Sequence, residues 1–85
     1  MKIKLSFGGR WAKLLDDSIF LFNGVEENFY EFESPNIALK AWKDILNRYS
    51  NKPTYLGTKK RMYPDEIATD ICENNEYIKY LTAWT

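Results

Sequence analysis

Two hydrophobic periods run along this chain, one of two residues and one of 3.6. At the start, Lys2, Lys4 and Ser6 alternate with Ile3, Leu5 and Phe7, the pattern of a half-buried strand. Gly8-Gly9 interrupts it and marks a turn. Residues 10–15 read both ways. Ala12, Lys13, Leu14 and Leu15 favour a helix, and the same segment can return as a second strand. Asp16-Asp17-Ser18 then reads as a turn.

The apolar run from Ile19 to Phe22 is followed by Asn23-Gly24, the strongest short hairpin signal. A two-residue Asn-Gly turn would set Leu21 opposite Glu26 and Ile19 opposite Asn28, wasting the apolar face. A longer loop over 23–28 pairs Leu21 with Tyr30, Ile19 with Phe32, Phe22 with Phe29 and Phe20 with Glu31. Cross-strand pairs of these types contribute roughly 0.2–1 kcal/mol each, so the longer loop is predicted. Ile19, Leu21, Tyr30 and Phe32 then share the face that packs on a helix. Phe20, Phe22 and Phe29 share the other, beside Glu31 and Glu33.

The 3.6 period is clearest over 34–49, SPNIALKAWKDILNRY. Ser34 suits an N-cap, because its hydroxyl can accept from an unpaired amide of the first turn. Pro35 falls at the first helical position, where its missing N–H costs nothing. Ile37, Ala38, Ala41, Trp42, Ile45, Leu46 and Tyr49 make one apolar stripe, with Lys40, Lys43, Asp44 and Asn47 opposite. Asn51 and Pro53 supply the stop.

Residues 50–63 form a basic, polar connection in which Tyr55-Leu56 and Met62-Tyr63 can pair as a short hairpin. Pro64 opens a second, shorter helix at about 65–73, with Asp65 and Glu66 at its positive end and a stripe of Ile67, Ala68, Ile71 and Cys72. Asn74-Asn75 predicts a turn. Ile78 and Leu81 continue the helical spacing from Ile71, while the aromatic and branched residues of 77–84 favour a terminal strand; the strand is the preferred of the two readings. The fold class is α+β: one domain over 1–85, with an antiparallel sheet of three to five strands under the main helix.

Composition narrows the function classes. Aromatic content of 16% argues against disorder, and fourteen rings exceed what a core this small needs. No apolar run approaches the ~20 residues of a membrane span, and no signal-peptide apolar region follows Met1. Cys72 is the single cysteine, so no internal disulfide can form and a cytoplasmic setting is expected. The net charge of +0 hides blocks: residues 1–13 are basic, 14–39 acidic, 40–63 basic and 64–85 acidic. Such blocks fold into opposed patches or interleave and cancel.

The chemistry of an enzyme is hard to assemble here. Histidine is absent, removing the commonest general base and metal ligand. Cys72 lies at an apolar helical position without an activating neighbour, which reads as a buried core thiol. The carboxylate pairs Asp16-Asp17 and Glu26-Glu27 do not form a dyad, since neighbours on a strand point to opposite faces. Gly8-Gly9 lacks the rest of a phosphate loop. No catalytic residue, metal or cofactor is predicted.

Two binding surfaces compete. Phe20, Phe22 and Phe29, rimmed by Glu26, Glu27, Glu31 and Glu33, form a candidate protein-binding patch, since interface centres favour aromatics inside a polar rim. A second layer from 64–84 or 10–15 would instead make those rings core. Lys59, Lys60 and Arg61, with Tyr63, form the alternative, a loop suited to phosphates and stacked bases, although the pI of about 6.2 is low for a nucleic-acid footprint. Nine lysines against three arginines, with abundant Asn, Ile, Tyr and Phe, fit an AT-rich coding source. Small proteins from phages and mobile elements often act as inhibitors that block a host protein, as anti-CRISPR and anti-restriction proteins do. The expectation is therefore a non-enzymatic protein-binding module, present as monomer or homodimer, whose partner is a protein, such as a basic nucleic-acid-binding one.

Overall fold

The structure, a computed structural model, describes residues 1–50 and 63–82. The elements run β1 (Lys4–Phe7), β2 (Arg10–Leu15), β3 (Ser18–Phe22), β4 (Glu27–Glu31), α1 (Pro35–Ser50), α2 (Pro64–Cys72) and α3 (Asn75–Ile78). The four strands form one antiparallel meander in the order β1-β2-β3-β4, so the architecture is α+β. The Asn51/Pro53 stop, the residues 55–56 and 62 of the expected short hairpin, and the Lys59–Arg61 run lie outside the described residues.

Residues 10–15 are a strand, because the Gly8-Gly9 turn hands them directly to β1. Phe7 pairs with Arg10 and Leu5 with Ala12, leaving two residues in the turn. Both glycines have positive φ, 62° and 77°, the backbone of the hairpin turn whose twist matches that of its strands. The next turn is equally tight: Leu15 pairs with Ser18, and Asp16 takes a φ of 56°, which a short polar side chain tolerates better than most.

The β3–β4 register corrects the expectation. Ile19 pairs with Tyr30, Phe20 with Phe29, Leu21 with Asn28 and Phe22 with Glu27, a shift of two residues from the predicted pairing. The loop is 23–26, closed by the Asn23 N–H donating to the Glu26 carbonyl at 3.3 Å. Its physical reason is the Asn23 side chain, whose oxygen accepts from the Val25 and Glu26 amides at 2.8 and 2.9 Å. That satisfies a four-residue loop from within. A two-residue shift preserves which side chains share a face.

Helix α1 starts as its sequence dictates: the Ile37 N–H donates to Ser34 Oγ at 3.3 Å. Ala38, Ala41, Trp42 and Ile45 are buried, and the Trp42 indole N–H donates to the Lys2 carbonyl at 2.8 Å, tying the start of the chain to the helix. Helix α2 buries Ile67, Ala68, Ile71 and Cys72. Both helices lie on the same side of the sheet, where Leu5, Ala12, Ile19, Leu21 and Phe32 complete one core with them. The expected apolar face of Ile19, Leu21, Tyr30 and Phe32 does point to the helices, with Tyr30 half-buried at its margin.

The terminal strand is a further correction. Asn74 caps a one-turn helix, its side chain accepting from the Glu76 N–H at 2.8 Å, and α3 follows. Leu81 alone bridges to Phe32, supported by the Thr82 N–H donating to the Glu31 carbonyl at 2.8 Å; residues 83–84 lie outside the described residues. The aspartates and arginines of the charge blocks partly interleave: Arg10 pairs with Asp65 and Glu66, and Arg48 with Asp70. Among the described residues, no helix is long and apolar enough to cross a membrane.

Candidate partner-binding face

With α1 and α2 on one side of the sheet, strand alternation assigns the side chains of the other. The register aligns them in rows. Ser6, Trp11, Phe22 and Glu27 form one row; Lys4, Lys13, Phe20 and Phe29 form the next. Leu15, Ser18 and Glu31 follow at the far end. No described helix covers this outer face.

The rings on it pair. Trp11 and Phe22 stack with centroids 5.8 Å apart and planes 23° from parallel. Phe20 and Phe29 stack at 5.3 Å and 26°. Offset stacking of this kind adds about 0.5–1.5 kcal/mol beyond area burial. Phe29 is 48% exposed, and Trp11, Phe20 and Phe22 are half-buried against one another. Two lysines thread the rings: Lys4 Nζ sits 5.3 Å from the Trp11 centroid, while Lys13 Nζ lies 5.2 Å from Trp11 and 5.8 Å from Phe20. These are cation–π distances.

The predicted residues are thus mostly brought together. Phe20, Phe22 and Phe29 share the outer face with Glu27 and Glu31. Glu26 lies in the β3–β4 loop and Glu33 beyond the end of β4, both exposed, so the acidic rim runs along the β4 edge and not around the rings. The alternative, a covering layer, does not form from the described residues: 10–15 is a strand of the sheet itself, and 63–82 packs on the helical side. Sequence reasoning missed Trp11, Lys4 and Lys13. The signal was there, since reading 10–15 as a strand places Trp11 and Lys13 opposite Ala12 and Leu14.

The alternative surface fares differently. Lys59, Lys60 and Arg61 are outside the described residues. Tyr63 is half-buried and its ring is engaged: the Arg10 guanidinium lies 4.1 Å from its centroid and Phe7 5.7 Å. Its ring also rests on Gly8, where a Cβ would meet Tyr63 Cε1 at 2.9 Å.

Titratable groups elsewhere serve the core. Burial, with Glu73 nearby, pushes the Cys72 thiol up to about 12, which suppresses the thiolate that nucleophilic chemistry needs. Tyr77, donating to the Asp44 carboxylate, and Tyr30, donating to Glu73 at 2.5 Å, are both raised, by burial first and the carboxylate hydrogen bond second. Among the described residues no three or more Cys, Asp or Glu side chains gather in a way that could hold a metal ion. Comparison with protein-family models, curated proteins and solved structures finds no match for this chain.

Proposed function

We propose that this protein is a non-enzymatic protein-binding module whose working surface is the outer face of the sheet, centred on Trp11, Phe20, Phe22 and Phe29. One observation carries the reading: four aromatic rings lie together on a sheet face that no described helix covers. Monomeric proteins rarely leave contiguous apolar area open without a use, and Trp-centred clusters inside charged rims are where binding energy concentrates. Rings with lysines between them also suit stacked bases. Glu27 and Glu31 flank Phe29 on the same face, however, and oppose a phosphate chain crossing it. Protein is the better fit.

A face of this kind acts by occupancy. Seated on a partner's working surface, it blocks that surface without chemistry of its own, which is how the phage or mobile-element inhibitor suggested by composition would operate. The test is a tagged capture from nuclease-treated lysate, comparing wild type, Phe22→Asp and a control variant at Lys43 on the exposed side of α1. A stoichiometric protein retained by the wild type and the control but lost by Phe22→Asp supports the reading, provided Phe22→Asp keeps its far-UV and thermal signatures. Capture that survives Phe22→Asp would place the interface elsewhere and defeat it.

A further inference from the structure

The outer face separates its charges. Lys4 on β1 and Lys13 on β2 are cross-strand partners, a like-charge pairing that weakens a sheet. Glu27 and Glu31 stand at the opposite edge on β4. None of the four enters an ion pair among the described residues. Across the meander the face therefore runs from cationic through aromatic to anionic, with equal charge at the two ends.

We infer that this surface is complementary to itself, and that its occupant is a second copy of the chain; the inference rests on the protein-binding reading above. Two in-plane two-fold axes can set one sheet face against another. The axis perpendicular to the strands lays β1 on β1 and brings lysine to lysine. The axis parallel to the strands reverses the strand order, laying β1 across β4 and β2 across β3. Before the sheets twist relative to each other by about 30°, Trp11 then meets Phe22 of the second copy and Lys13 meets its Phe20. Lys4 meets Phe29 of the second copy, between that copy's Glu27 and Glu31. Every contact is made twice, as an isologous interface requires.

Size sets the strength. Four strands about 4.8 Å apart and five residues of about 3.4 Å each make a plate of roughly 19 by 17 Å, about 320 Å² on each copy, which is below the size of stable interfaces and belongs to weak, transient ones. The dimer is therefore concentration-dependent, and salt weakens it by screening the exposed lysine–glutamate pairs.

Sedimentation velocity on the full chain, from low micromolar to submillimolar concentration, tests this. The expected result is a mass rising from 10.1 kDa towards twice that value. Two double variants make the test specific: K4E/K13E and E27K/E31K, each confirmed folded by circular dichroism. Each alone is expected to stay monomeric, because like charges now face each other at both ends, and an equimolar mixture is expected to form the heterodimer. A wild type that remains monomeric throughout overturns the inference; if Phe22→Asp still loses a captured protein, the protein-binding reading survives it. Variants that dimerise as the wild type does place the contact on another surface and also overturn it. So does a monomer that binds an oligothymidylate probe in a salt-sensitive way, which would assign the rings to base stacking.

Discussion

Arg10 and Asp65 lie 55 residues apart and meet in a two-pronged ion pair, Nε at 2.8 Å and Nη2 at 2.7 Å from the two carboxylate oxygens. The pair joins the first residue of β2 to the first turn of α2. Asp65 is only 4% exposed, and the Asp65 contact raises the pKa of the guanidinium. Removing one member leaves the other short of a partner, and loss of one half of a buried pair costs about 3–5 kcal/mol. Because Arg10 keeps contact with water, a second carboxylate at Glu66 and the Tyr63 ring, Asp65→Ala is expected below that range, about 2 kcal/mol, in urea unfolding. Arg10→Met combined with Asp65→Leu should cost less than Asp65→Ala alone. A double variant that is as unstable as the two single losses added together would show that the pair contributes through packing and not through charge.

Alkaline pH is expected to unfold the protein through groups buried in their neutral forms. The sign follows from the raised pKa values. Cys72 moves from 9.0 to about 12, and Tyr77 and Tyr30 rise from 10.0. In each case the unfolded chain loses its proton first, so the folded chain binds more protons and stability falls as pH rises. The thiol's contribution is intact below pH 9 and is lost between about 9 and 12; the tyrosines act from pH 10 upwards. Urea midpoints should hold from pH 7 to 9 and then decline. Cys72→Ala should be less stable at pH 7, through a small cavity, yet show a shallower decline from pH 9 to 10. Equal slopes for both proteins would remove Cys72 from the account.

The two longer helices were legible because their information is local: the Ser34-Pro35 start and the Ile37-to-Tyr49 stripe need no knowledge of the rest of the chain. The sheet was legible in its faces and not in its register. Phe20, Phe22 and Phe29 fall on one side under either pairing, since a shift of two residues keeps every side chain on its face. The register itself hinged on two hydrogen bonds to the Asn23 side chain, which pairing energies could not reveal. Trp11 and Lys13 stayed hidden for a third reason: a six-residue segment with mixed propensity becomes a strand only when β1 and β3 flank it, and without that strand nothing set Lys4 of β1 beside the rings. The terminal strand failed because the cap at Asn74 won over the β-preferring residues that follow it.

Position on the sheet separates two kinds of aromatic residue by the cost of losing them. Trp42 is fully buried under the sheet and hydrogen-bonded to Lys2, so Trp42→Ala should cost about 3–5 kcal/mol. Phe20 and Phe22 face outwards and lose mainly a ring neighbour. Phe20→Ala and Phe22→Ala should each cost about 1.5–3 kcal/mol, the stacking contribution plus the half-buried area, measured by thermal or urea unfolding. Losses as large as that of Trp42→Ala would mean the outer rings are core, and the proposed interface would fall with them.

The two glycines of the first hairpin should respond differently to the same methyl group. Both have positive φ, a conformation that costs an L-residue about 1–2 kcal/mol. Gly9 has open space where a Cβ would go, so Gly9→Ala is expected to cost that strain alone, and Gly9→Asn less. At Gly8 the new Cβ would stand 2.9 Å from the Tyr63 ring, which is itself held by Arg10. The ring must shift, and with it the Arg10 guanidinium that binds Asp65. Gly8→Ala should therefore destabilise more than Gly9→Ala in urea unfolding. The excess should shrink when Tyr63 is already Leu, whose smaller side chain can yield. An excess that persists in the Tyr63→Leu background would trace the cost to the turn itself.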